Sequence, residues 1–168
     1  MKPEIQAARE LLKDLTPLKT DCGAYCGGAC CKSDSADEEG MLLFPGEEAA
    51  YCDCAWARVK PAQFEGLPQA HILVCDGRCP RDERPLACRL FPVAPHKTAG
   101  GFRAALDRRA FAVCPLAGYG MSAFDRAFVN ACTQAFDALS QDDECRKYLT
   151  AWSALMDEYA RGLYARDT

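Results

Sequence analysis

Cysteine is the residue type in this chain whose spacing could do chemistry. DCGAYCGGACCK, residues 21–32, holds Cys22, Cys26, Cys30 and Cys31. CDGRCPRDERPLACRLFP, residues 75–92, holds Cys75, Cys79 and Cys88, and Cys114 follows in CPLAGYG. Thiolates bind Zn²⁺ tetrahedrally, four to a structural site, and iron–sulfur clusters also usually take four. Eight thiolates could serve two separate centres, or one larger or bridged centre. C-x₃-C and the turn C-D-G-R-C each allow neighbours to close a local loop on one ion. The adjacent pair Cys30-Cys31 is expected to diverge, so that it splits between two centres or supplies a single ligand. Sulfur is soft enough for zinc and iron alike. The two regions, far apart in sequence, are expected to meet in space around a metal centre.

The other four cysteines read differently. Cys132 and Cys145 fall on apolar helical faces, where a free thiol behaves as a small hydrophobe. Cys52 and Cys54 are two apart, so a regular helix would not place them on one face. A radical-SAM motif, C-x₃-C-x₂-C, does not fit: the third gap here is three residues, with Ala29 inside it. A disulfide framework is allowed by the even count of 12 Cys but belongs to exported proteins. The opening MKPEIQAARELLKDL has no apolar signal-like core, and no apolar run approaches the roughly 18 residues of a membrane span. A cytoplasmic protein with no membrane partner is the expectation. The net charge of −4 argues against nucleic acid held through phosphates. His71 and His96 stand alone, and no triad, P-loop or dinucleotide fingerprint occurs. Residues 75–109 carry eight basic and four acidic side chains, which would set arginines near anionic thiolates.

The elements that must position these thiols follow from periodicity and turn signals. Ile5, Ala8, Leu11, Leu12 and Leu15 predict a helix over 3–15, closed by Thr16-Pro17. Gly23, Gly27 and Gly28 predict a loop rather than a helix around the first thiols, with backbone N–H groups free to approach sulfur. Residues 33–40 read as an acidic surface loop. Pro45 and Glu47-Glu48 predict a helix start, carrying Tyr51, Cys52, Cys54 and Trp56. Residues 61–69 read as a loop and 71–75 as a strand. Asp76-Gly77 reads as a turn and 86–90 as a short helix after Arg84-Pro85. Residues 102–107 and 110–114 read as short strands. Two helices follow, one capped by Ser122 with Asp125 and running to Leu139, the other capped by Ser140 with Asp143 and running to about Arg166. The expected fold is mainly α with irregular Cys-rich loops and a few short strands. It is a single metal-centred domain over 1–168, with a core at about 21–120 and a helical pair at about 121–166.

The order C-x₃-C-x₃-C-C, then G-x-C with R-P-x-x-C-R-x-F-P, then C-P ahead of glycines resembles the YkgJ-like Cys-cluster family, described as a zinc- or iron-chelating domain. A related Cys-rich region occurs in flagellin lysine methylases. The matching residues are Cys22, Cys26, Cys30, Cys31, Gly77, Cys79, Arg84, Pro85, Cys88, Arg89, Phe91, Pro92 and Cys114 with Gly118 and Gly120. The resemblance implies a metal-binding protein and brings no reaction with it. Arg84 and Arg89 read as cofactor-binding donors, to cluster thiolates or to a carboxylate that orders the loop. The leading expectation is a cytosolic protein holding zinc or an iron–sulfur centre in a structural or redox role. The alternatives are an enzyme or methyltransferase-associated protein that uses the centre, and a metal carrier. The expected partners are the metal ion and another protein.

Overall fold

The computed structural model describes residues 1–32, 40–64, 67–77 and 79–164. The acidic loop expected at 33–40 lies outside them except for Gly40, as do the last two residues, 165–166, expected for the final helix. Helix α1 (Pro3–Leu11) starts on Pro3, whose fixed φ suits a first turn. It ends one turn earlier than its apolar spacing predicts, and Leu11 is exposed while Ile5, Ala8 and Leu12 are buried.

The expectation of a mainly α fold is corrected: 47% of the described residues are helical and 20% are in strands, a mixed α/β fold. Strand β1 (Met41–Leu43), β2 (Ala57–Phe64) and β3 (Leu67–Cys75) form an antiparallel sheet in the order β1-β3-β2. The end of β2 and the start of β3, residues 61–64 and 67–69, occupy the segment expected to be a loop. Pro61, Gly66 and Pro68 made residues 61–69 read as a loop, but Pro61 sits on the edge strand β2 opposite His71. An edge is where the missing N–H of proline costs least. The helix expected after Pro45 is only a 3₁₀ turn, Glu48–Tyr51, followed by turns that lead into β2.

A second sheet is the hairpin β4 (Val93–Thr98) and β5 (Gly101–Leu106). Helix α3 (Leu86–Leu90) precedes it through a cis Phe91–Pro92 bond. The strand expected at 110–114 is instead the one-turn helix α4 (Ala110–Val113). The hairpin's outer edges are covered by side chains. Ser153 Oγ accepts from Lys97 N at 2.9 Å, and Thr133 Oγ1 accepts from Ala104 N at 3.2 Å. Covered edges do not invite pairing with another chain.

Those side chains come from the last two helices, α5 (Arg126–Leu139) and α6 (Asp143–Tyr164). The residues that cap them are Asp125 and Asp142, which accept from Ala127 N at 2.7 Å and Cys145 N at 2.9 Å. The caps expected at Ser122 and Ser140 lie three and two residues too early. Helix α5 packs on α1 and β5, and α6 on β4. Phe44, at the end of β1, meets Tyr148 and Trp152 of α6 at ring-centroid distances of 5.2 and 5.8 Å. Fully burying side chains of this size stabilises by about 1.5–3 kcal/mol each. Cys132 and Cys145 lie in this core with no exposed surface. Among the described residues no helix is long and apolar enough to cross a membrane.

Candidate metal centre

Helix α2 (Cys22–Cys26) is a single turn where the glycines had predicted a loop. Asp21 starts it, its carboxylate accepting from Gly23 N at 3.0 Å. Gly27, at φ 64°, stops it in the left-handed region where glycine is at ease. Being four apart on this turn, Cys22 and Cys26 share a face. Gly28, also left-handed, sends the chain into a 3₁₀ turn, Ala29–Cys31. Cys30 and Cys31, adjacent on this turn, act on one another: their interaction holds the Cys31 thiol below its usual range and pushes Cys30 up, while burial raises both and the Arg84 charge lowers Cys31.

The second half comes from β3, the loop after it and α3. β3 delivers Cys75, and Gly77 N–H hydrogen-bonds back to the Cys75 sulfur. Gly77 has φ 77°, and a Cβ there would stand 2.9 Å from the Cys31 carbonyl oxygen, so the two halves touch at this turn. Cys79 accepts a hydrogen bond from Arg84. Burial works against the Arg84 charge, but Cys79, Cys31 and Cys88 outweigh it and hold the guanidinium's pKa up. Cys88, on α3, lies within electrostatic reach of Cys79, Cys31 and Cys75, and burial pushes its thiol well up. Cys114, at the end of α4, is near Cys22, whose thiol burial also raises.

Two buried carboxylates that sequence reasoning missed hold these pieces in place. Glu47 has no exposed surface. It accepts from Leu86 N at 2.8 Å, Phe44 N at 3.2 Å and Arg9 Nη1 at 3.2 Å, tying the first turn of α3 to α1 and β1. Burial pushes its pKa up while those donors oppose the rise. Asp107, equally buried, accepts from Arg109 Nε at 3.0 Å and Nη2 at 2.6 Å, and so fixes the corner between β5 and α4. Both were legible only as acidic residues near a turn; nothing local separates a buried carboxylate from a solvated one.

The loop at 80–84 is pinned from several sides. Arg89 Nε donates to Arg84 O at 2.9 Å, and its Nη2 to Arg81 O at 3.0 Å and Asp82 O at 2.7 Å. Arg9 Nη2 reaches Asp82 O, Tyr51 OH reaches Glu83 O, and Trp56 Nε1 reaches the Glu83 carboxylate. Arg84 is thus brought to the thiols, whereas Arg89 is turned toward loop carbonyls. Cys52 is exposed, its thiol on the Glu48 carbonyl at 3.6 Å. Cys54 packs with Tyr51 and Cys75 in a small satellite of the core.

Thiols from the three separated stretches thus lie within electrostatic reach of one another, those of Cys22, Cys31, Cys79 and Cys88 also of Arg84, and all twelve cysteines of the chain are free. Among the described residues, no three Cys, His, Asp or Glu side chains already stand around a common point at ligating distance. The donor set fits a soft ion chemically, since thiolates suit zinc and iron–sulfur groups and an arginine offsets their charge. Compared with protein-family models, curated proteins and solved structures, the chain matches none.

Proposed function

We propose that this chain is a Cys-cluster metal-binding protein. It would hold zinc or an iron–sulfur group among Cys22, Cys26, Cys30, Cys31, Cys75, Cys79, Cys88 and Cys114. The observation that carries the reading is the gathering of thiols up to 92 residues apart in sequence, with Cys22, Cys31, Cys79 and Cys88 within reach of the Arg84 charge. Grouped, partly buried thiols stay protonated when no cation is near, because each thiolate would repel the next. A bound cation would favour the thiolate form by offsetting its charge. The resemblance to the YkgJ-like Cys-cluster family rests on these same residues. Free thiols at all twelve positions suit a reducing compartment such as the cytoplasm.

The chain's own residues supply the frame for such a centre. Arg84 lowers the cost of grouped negative charge, Gly77 N–H donates to a sulfur, and Glu47 and Asp107 fix the helices that bring Cys88 and Cys114. The test is anaerobic purification with metal and sulfide analysis and a visible spectrum. Stoichiometric metal is expected: brown protein with sulfide for an iron–sulfur group, colourless protein for zinc. Cys88→Ser should lose the metal and Cys132→Ser should keep it. A chain that binds neither zinc nor iron, even on anaerobic reconstitution, refutes the reading.

A further inference from the structure

We propose that the cleft between α1 and the 80–84 loop binds the carboxylate or phosphate group of a small molecule, held by Arg89 and Arg81. The site is separate from the thiols and does not depend on whether they hold a metal.

Arg89 is a buried cation without a carboxylate partner. Only 9% of its surface is exposed. Its Nε donates to Arg84 O at 2.9 Å, and its Nη2 to Arg81 O at 3.0 Å and Asp82 O at 2.7 Å. Buried charges are as a rule paired with an opposite charge, yet among the described residues no carboxylate stands within ion-pair distance of this one. Its Nη1 has no partner there either. The unpartnered polar side-chain atoms sealed from solvent belong to Tyr148 and Trp152, so Nη1 opens on the cleft that Arg89 lines. That cleft holds about 480 Å³, within the range of small-molecule sites.

The two signs of charge sit at different depths. At the floor are Arg89 and Arg9, whose side chain is 14% exposed, and Glu47 answers only Arg9. One buried positive charge is left over. At the rim Glu10 is taken up by Lys13, and the carboxylates of Asp14 and Asp82 are exposed. Water and salt screen the rim, whereas the floor acts through a poorer dielectric. An anion that reaches Arg89 therefore gains more than the rim carboxylates cost it. Arg81 supplies a second guanidinium: it is exposed, lines the same cleft and has no partner among the described residues. Guanidinium forks match the paired oxygens of carboxylate and phosphate. Arg81 and Asp14 also line an adjoining cleft of about 480 Å³, which gives the rest of a ligand room. The 80–84 loop that forms this wall is the one that carries Arg84.

The test is NMR titration of the reduced full chain with inorganic phosphate and, separately, with acetate, at an ionic strength held constant with chloride. Saturable shifts are expected at the Arg81 and Arg89 side-chain N–H groups and at the 81–84 amides, and none at Arg103, an exposed arginine on β5. The probe that binds more tightly names the group. Arg81→Gln should weaken binding about two- to fivefold, the weight of one exposed ion pair, and Arg89→Gln at least about tenfold. Arg81→Gln breaks no described side-chain contact, so it decides the matter if Arg89→Gln fails to fold. Shifts that climb without saturating for both probes, equal shifts at Arg103, or wild-type affinity in Arg81→Gln overturn the proposal and leave the metal-binding reading untouched.

Discussion

Removing the Glu47 carboxylate tests whether the second half of the thiol site hangs on a buried ion pair. Glu47→Ala would strand the N–H groups of Leu86 and Phe44 and one arm of Arg9 in a site with no solvent exposure. An unsatisfied buried donor costs about 1–3 kcal/mol, and breaking a buried pair from one side costs about 3–5 kcal/mol. These penalties overlap, so a total loss of about 3–5 kcal/mol is expected. Glu47→Gln keeps the shape and one acceptor. Oriented with its oxygen toward Leu86 and Arg9, its amide would meet the Phe44 N–H donor to donor. The amide gives up the charge that faces Arg9 but strands only one buried donor, so its cost should be below that of Glu47→Ala, about 1–3 kcal/mol. The assay is thermal unfolding of the reduced protein at neutral pH by circular dichroism, in which 3–5 kcal/mol corresponds to about 6–20 °C for a chain of this size. A cycle with Arg9→Met should return a coupling of about 0.5–3 kcal/mol. A Glu47→Ala protein within about 1 kcal/mol of wild type would refute the assignment of Glu47 as the pin of α3.

Other positions give independent checks. Gly77→Ala should destabilise by about 1–3 kcal/mol, because alanine is strained at φ 77° and its Cβ would lie 2.9 Å from the Cys31 carbonyl; metal content and denaturant melts both read this. Arg84→Met should weaken metal binding at least about tenfold by removing the charge that faces three thiols, while Arg89→Met should act on stability, its donors being spent on loop carbonyls. Asp142 is held at about 2 by Lys2 Nζ at 2.7 Å and by Cys145 N–H. A depressed native value stabilises above the ordinary aspartate range, about 3.9, and that contribution is lost as pH falls toward the native value. Asp142→Asn keeps a good cap, so the wild-type advantage over it should vanish on acidification, whereas Asp142→Ala should cost about 1 kcal/mol more through the lost cap; melts across pH 2–6 would check both.

Much of the helical frame is legible in the sequence because helices are local. The apolar stripes of α1, α5 and α6 repeat within a few residues, and Arg84-Pro85 marks the start of α3 from chain-local geometry alone. The strand at 71–75 was legible, but residues 61–69 read as a loop partly because Pro61 is acceptable only once β2 is known to be an edge, and edges are a property of the sheet. Helix α2 was missed because Asp21 and the left-handed Gly27 bracket a turn too short for periodicity to register.

For the site, residue type and spacing alone determined which eight cysteines to consider and set Cys132 and Cys145 aside as apolar. Sulfur's chemistry and helical periodicity need no three-dimensional information. Tertiary structure decided which thiols are neighbours, that Arg84 faces them while Arg89 faces carbonyls, and that Glu47 and Asp107 are buried pins. The physical reason is range. Burial, electrostatic reach and the seat of Gly77 against Cys31 each depend on segments tens of residues apart, and those meet only when the core closes.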